Sequence, residues 1–297
     1  MNLNSITPCI DISTVCATKC RYCMHQYKNM VKPRFMGQAV FENIVDILKN
    51  EGCKKVIPYV SGEPLTHPMF WNFISILLSA GLDVEFASRI SRPIDMAVVE
   101  SAISVAKTEK ITIEVTIDAV TQGVASEIMY GSYDVGVVLG NLRGLTELAS
   151  RNKSIIVKAY TVVCRQNKSL LPEIEKTIRG CGATEWYTKK MGFYMSAIMD
   201  EEDKRNILDI VPEKDNGRMV YDGRLFLSKK KNCGSYIIPI ISPEGDVSIC
   251  CHDMLYRNIV GNILETNSLV WILESEKYKR DAKLGRRRLL PICRGCN

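Results

Sequence analysis

Short apolar, β-branched runs alternate with amphipathic stretches through the first two-thirds of the chain. Residues 7–13 (TPCIDIS) read as a short strand, followed by a cysteine-rich loop and a helix over 37–51 (GQAVFENIVDILKNE). Further strands are predicted over 55–60, 82–88, 111–117, 154–163 and, short, 184–189; helices over 68–80, 93–107, 134–151 and 168–181 lie between them. Six strand–helix units in succession predict a parallel sheet with right-handed crossovers. Only six units fit before the alternation stops, so the expected α/β architecture is a partial (β/α)6 barrel, not a closed eightfold one. Residues 192–232 are polar and irregular, with a charged stretch from Asp200 to Arg205. Two short strands then follow over 236–241 and 246–250, turned by Pro243-Glu244-Gly245-Asp246. A helix over 266–280 precedes the last cysteines. The expected domains are a core over 1–190, a linker over 191–232 and a small hairpin-plus-helix domain over 233–297.

Composition adds little until the cysteines are counted. Hydrophobic residues make up 46% and charged residues 24% of the 297 positions, the profile of an ordinary globular chain. No run approaches the roughly 20 apolar residues needed to span a bilayer. The N-terminal MNLNSITPCIDIS has no basic or long apolar signal region, so a cytoplasmic location is expected. The net charge of +6 is mild; the densest basic run, Arg286-Arg287-Arg288, reads as solvated surface or as a contact for an anionic substrate or partner. Twelve cysteines are unusual, and in a reducing compartment they are core residues, metal ligands or catalysts rather than disulfides.

Cys16, Cys20 and Cys23 form C-x3-C-x2-C in the loop after the first strand. Three thiolates on one compact loop can hold three irons of a [4Fe–4S] cube and leave the fourth iron open for chemistry. The competing reading is a structural zinc site with His25 as fourth ligand. After the second strand comes Ser61-Gly62-Glu63-Pro64, where a tight turn can face carbonyls to a ligand and a carboxylate can take an ammonium group. Thr116-Ile117-Asp118 ends the fourth strand and Ser88 the third. In a parallel barrel, function collects at the C-terminal strand ends, and these residues all fall on that rim.

The loop CATKCRYCMH resembles the signature of the radical S-adenosylmethionine (SAM) superfamily. That resemblance implies a TIM-like partial barrel in which the open iron is chelated by SAM's amino and carboxylate groups. Electron transfer then cleaves SAM to methionine and a 5′-deoxyadenosyl radical that abstracts hydrogen from a substrate. It also implies that the backbone of Tyr22 lies near the adenine, that Gly62 and Glu63 (in an S-G-E-P version of the family's G-G-E-P) bind the SAM amino group, and that Thr116 and Asp118, with Ser88, sit near the ribose. Many relatives place an Arg about a dozen residues after that Asp to pair with SAM's carboxylate. Here the corresponding stretch is Ile128-Met129-Tyr130-Gly131, without an Arg, which leaves Arg89 or Lys158 as substitutes.

Four further cysteines, Cys233, Cys250, Cys293 and Cys296, lie in the last 65 residues, as C-x11-G-x4-C and C-x2-C. Four thiolates suit a fully ligated cluster or a zinc ion. The run GDVSICCHD, then Gly261-Asn262-Ile263, Trp271 and the terminal cysteine pair is similar to the SPASM/twitch extension of radical SAM enzymes. Four ligands imply one auxiliary [4Fe–4S] cluster with no open iron, suited to electron transfer. Cys251 follows Cys250, so its side chain points to the opposite face; it is a candidate hydrogen-atom donor or a packing residue. Cys9, Cys53, Cys164 and Cys181 have no partner spacing and read as core.

The expected activity is hydrogen abstraction followed by oxidation, with the auxiliary cluster as electron acceptor. The expected substrate is a small sugar, a cyclitol or a peptide, and the expected reductant a flavodoxin- or ferredoxin-type protein. The chain starts almost at the barrel, which tilts the expectation toward a small molecule. Epimerisation through Cys251 is the alternative outcome. A reading of another class is a non-catalytic zinc-bound protein; neither membrane nor nucleic acid is expected as a partner of the enzyme.

Overall fold

A computed structural model describes residues 3–23, 25, 32–191, 210, 219–221, 226–228, 233, 238–250, 252–287, 289, 290 and 293. The elements run β1 (Cys9–Ile10), α1 (Gln38–Asn50), β2 (Lys55–Val56), α2 (Phe70–Ser79), β3 (Asp83–Ser88), α3 (Met96–Ile103), β4 (Ile111–Thr116), α4 (Gln122–Ile128), α5 (Val135–Arg151), β5 (Ile155–Val163), α6 (Leu171–Gly180) and β6 (Trp186–Lys190). After them come β7 (Met219–Tyr221), β8 (Phe226–Ser228), β9 (Ile240–Ile241), β10 (Asp246–Ser248), β11 (Ile259–Asn262), α7 (Ile263–Thr266), α8 (Leu269–Glu274) and α9 (Glu276–Arg286).

Five parallel strands, β2 to β6 in sequence order, form an open sheet. Its buried positions follow from the pattern: Ile111, Ile113 and Val115 of β4 alternate inward, and α1 and α5 turn their apolar stripes onto it. Phe41, Phe70, Phe73 and Phe86 are fully buried where α1, α2 and β3 meet; truncating one to Ala would cost about 3–5 kcal/mol. The first strand joins the sheet through a single parallel bridge, Cys9 to Ile57. On its other edge β1 pairs in parallel with β9, and β10 and β11 follow antiparallel. The tail hairpin therefore extends the barrel's own first strand. The arc stays unclosed, as the six-unit count predicts.

Five local features differ from the expected elements: β2 keeps only Lys55–Val56 of the strand expected over 55–60, and four others follow. The first strand is only two residues long, because Ile12 and Thr14 turn to pair with 34–36: Met36 N–H donates to the Ile12 carbonyl and Thr14 N–H to that of Arg34. A short helix, α4, precedes α5. The helix expected over 266–280 breaks at Ser275, whose extended backbone (ψ 149°) ends α8 while its hydroxyl caps α9 through Tyr278 N–H. A small antiparallel pair, β7 and β8, falls within the stretch that reads as irregular.

Candidate active site

The C-terminal strand ends converge on one cavity of about 210 Å³. Cys16, Cys20 and Cys23 line it from the loop after β1. Gly62 and Glu63 come from beyond β2, Ser88 and Arg89 from the end of β3, and Thr116 from β4. Tyr22 also lines the wall, as does Met254 from the tail. The sequence-predicted rim is thus brought together, except Asp118, which lies behind Arg89 with no solvent exposure.

Two glycines hold the cysteine loop. A Cβ on Gly62 would lie 2.1 Å from the Ser13 carbonyl oxygen and 2.8 Å from Val15 N, so only glycine lets this turn dock on the start of the loop. Next to it, Glu63 N–H donates to the Val15 carbonyl at 2.9 Å. From the other side, residues 128–132 pair with residues 17–21 as a short antiparallel edge. Arg21 N–H donates to Ile128, Tyr130 N–H to Lys19, Gly131 N–H to Thr18 and Ser132 N–H to Ala17, and Cys20 bridges Met129. A Cβ on Gly131 would sit 1.8 Å from the Ala17 oxygen. Gly131, a residue the motif reading passes over, is therefore a second clamp on the loop.

Glu63 is buried, with two donors on one carboxylate oxygen and one on the other. Its carboxylate accepts from Ser88 Oγ at 2.6 Å, Arg89 N–H at 2.9 Å and Leu65 N–H at 3.3 Å. Burial raises its pKa, opposed by the hydrogen bonds from Arg89 and Ser88. Arg89 Nη2 donates to Asp118 Oδ2 at 2.7 Å and to the Tyr22 hydroxyl, which also donates to Asp118. Asp118 Oδ1 accepts from Val162 N–H at 2.8 Å, so its oxygens are used by the chain itself. The other terminal nitrogen of Arg89 reaches the Met129 sulfur, at 3.6 Å. Lys158, the other candidate cation, is instead paired with Glu185 at 3.1 Å, away from this cavity.

The donor set suits a cubane better than one ion. His25 directs Nε2 to the Ser61 carbonyl rather than joining the thiols, and burial lowers its pKa. Among the described residues no three Cys, His, Asp or Glu side chains converge on a single-ion site. A cube spreads its thiolates over separate corners, wider than a tetrahedral ion does.

In the tail, Cys233 N–H donates to the Arg286 carbonyl at 2.9 Å, and Cys293 Sγ lies 3.9 Å from the Gly285 carbonyl. Both cysteines thus meet the last turn of α9. Cys250 follows β10 and begins a loop ordered by buried Asp253, which accepts from Ser248 Oγ, Arg257 N–H and Asn258 N–H. Cys251 and Cys296 lie outside the described residues. This loop is pinned to the core through Asp11. The Asp11 carboxylate accepts from Ser61 Oγ at 2.6 Å, Ser61 N–H at 3.3 Å and Tyr256 Oη at 2.9 Å. Ser61, where the family pattern has Gly, thereby links the S-G-E-P turn to the tail. Burial pushes the Asp11 pKa up to about 6 against those hydrogen bonds. Cys9, Cys53, Cys164 and Cys181 are all buried, as their spacing predicts.

The open parallel barrel thus carries three thiols over its strand ends, with Met254 of the cysteine-bearing tail in the wall of the same cavity. The family model described as the radical SAM superfamily matches residues 10–177, more than half of the chain, which belongs to that superfamily. Residues 233–297 match the SPASM iron–sulfur cluster-binding domain. Membership carries a [4Fe–4S] cluster and SAM, and the tail carries auxiliary iron–sulfur binding. A comparison with curated proteins finds no match. Among solved structures, BtrN in complex with AdoMet (SAM) and 2-DOIA aligns over 100% of this chain and 94% of its own, with TM-score 0.60 and 13% identity. The enzyme anSMEcpe with bound AdoMet aligns over 94% and 80%, with TM-score 0.66 and 16% identity. Streptococcus suis SuiB bound to S-adenosylmethionine aligns over 95% and 69%, with TM-score 0.65 and 13% identity. No helix among the described residues is long and apolar enough to cross a membrane.

Proposed function

We infer that this radical SAM enzyme oxidises an sp3 carbon of a small polar substrate, a sugar or cyclitol alcohol, with the auxiliary cluster as electron acceptor. The carrying observation is Met254: it stands in the wall of the cysteine cavity, four residues after Cys250, on a loop tied to the core by Tyr256 and Asp11. A substrate in that cavity would lie between the SAM site and the tail. With the cluster and SAM bound, the site would supply abstraction of one hydrogen atom from the substrate carbon; loss of one electron to the auxiliary cluster and one proton to solvent would then give a carbonyl.

The chain's own residues take these roles in the proposal. Cys16, Cys20 and Cys23 hold the catalytic cluster, clamped by Gly62 and Gly131. Glu63, oriented by Ser88 Oγ and Arg89 N–H, receives the SAM ammonium. Arg89 receives the SAM carboxylate: its guanidinium rests on Met129, within the stretch where relatives carry their Arg, so the charge reaches that region from β3 instead. Asp118 and Tyr22 orient Arg89, and Ser88 and Thr116 face the ribose. Cys233, Cys250, Cys293 and Cys296 hold the auxiliary cluster. The end-to-end match with BtrN, solved with 2-DOIA, supports a small molecule; the match with anSMEcpe, solved with AdoMet and the Cp18Cys peptide, supports a peptide as second reading.

The test is mass spectrometry of reactions of reconstituted enzyme, SAM and reductant with sugar, cyclitol and peptide panels. Loss of two mass units, matched one-to-one by 5′-deoxyadenosine, is expected. Product of unchanged mass carrying solvent deuterium would replace oxidation by epimerisation.

A further inference from the structure

We propose that the exposed face of α9 is a docking platform for an acidic one-electron carrier protein that removes the electron from the auxiliary cluster. This rests on the oxidation reading above, in which each turnover leaves one electron on that cluster, where it must be discharged before the next. The transfer is outer-sphere: the reduced cluster loses one electron, the carrier gains it, and no atom or proton passes between the proteins.

Three observations carry it. Residues 276–287 hold six cations (Lys277, Lys279, Arg280, Lys283, Arg286, Arg287) and two carboxylates, a net +4 out of the chain's +6. All six cations are exposed. At the helical advance of about 100° per residue, Lys279, Arg280, Lys283, Arg286 and Arg287 fall within an arc of about 120°. The buried residues Asp281, Ala282 and Gly285 lie on the other side. Second, the last turn of this same helix is the backbone contact of two auxiliary cysteines, Cys233 through Arg286 and Cys293 through Gly285. A partner seated on the stripe would therefore have only the width of this helix between it and those cysteines. Third, the adjoining helix α8 exposes Trp271 by 63%, a large aromatic of the kind that anchors interfaces. A positive stripe of this density steers a negative partner and raises its encounter rate at low salt.

Holoenzyme reduced chemically and freed of reductant would be mixed with oxidised flavodoxin in a stopped-flow instrument, with wild type and the Lys279→Glu/Lys283→Glu variant compared. Wild type should transfer fast, with a rate that falls steeply with ionic strength. The variant should be slower by about 10–100-fold at low salt and nearly insensitive to it. Its iron content and its chemically driven 5′-deoxyadenosine formation should be unchanged. Equal transfer by wild type and variant would overturn the proposal, as would loss of RNA binding in the variant with flavodoxin transfer intact. Chemical reduction makes the assay independent of substrate, so a failure to find product two mass units lighter would sink the oxidation reading alone.

Discussion

Gly131→Ala is the sharpest structural test of how the cysteine loop is held. The added methyl would stand 1.8 Å from the Ala17 oxygen and 2.7 Å from the Thr18 carbonyl carbon and oxygen, all backbone atoms with no flexible end to swing aside. Normal contact is about 3.5 Å, so the two edges must part by more than about 1 Å. That separation strains or breaks the hydrogen bonds from Tyr130, Gly131 and Ser132 to residues 17–19. Three such bonds at about 1 kcal/mol each, plus overpacking of about 1–3 kcal/mol, give about 4–6 kcal/mol. The effect falls on the loop between Cys16 and Cys20, so iron binding should suffer most. After anaerobic reconstitution the variant should retain well under half of the wild-type iron in the catalytic cluster, read by iron and sulfide analysis and by the spectrum of the reduced cluster. Gly123→Ala is the control: nothing lies within 4 Å of that Cβ, at an exposed position of α4. It should bind iron normally and gain up to about 1 kcal/mol in stability. Gly131→Ala with full iron and unchanged urea unfolding would refute the clamp.

Other consequences are as direct. Arg89→Lys keeps a cation beside buried Asp118 but loses the fork, so SAM affinity measured by equilibrium dialysis should weaken about tenfold, with little change for decarboxylated SAM; equal weakening for both ligands would remove Arg89 from the carboxylate. For Asp11, the folded pKa of about 6 stands above the ordinary 3.8. Its stabilising contribution is therefore full below about pH 4 and lost as pH rises through 6, a swing of about 3 kcal/mol. Urea titrations should show Asp11→Asn gaining on wild type across that window, and a pH-independent difference would contradict the buried charge. Cys251→Ala should leave oxidation intact; loss of product, with deuterium entering wild-type product from heavy water, would make Cys251 the hydrogen donor.

Much of the site was legible because its chemistry is local in sequence. The C-x3-C-x2-C spacing, the S-G-E-P turn and the strand-end positions of Ser88 and Thr116 each follow one strand, and parallel strands deliver their ends to one rim. What sequence could not carry is long-range backbone pairing. Gly131 is one glycine among nineteen until its neighbours at residues 17–18 are seen. Asp11 looks like any polar residue in a short strand; its role appears only when Ser61 and Tyr256 converge on it from 50 and 245 residues away. Sequence does not separate Arg89 from Lys158; only the folded chain places the Arg89 guanidinium against Met129 and pairs Lys158 with Glu185. The break at Ser275 is a capping decision, in which one hydroxyl ends an otherwise continuous amphipathic pattern.

The most direct measurement concerns the three thiols at the strand end. Anaerobically reconstituted protein, given strong reductant and SAM, should liberate methionine and 5′-deoxyadenosine in equal amounts, and Cys16→Ala, Cys20→Ala or Cys23→Ala should each abolish it. A sample that holds one zinc in that loop, or an intact cluster that leaves SAM uncleaved, would contradict the account.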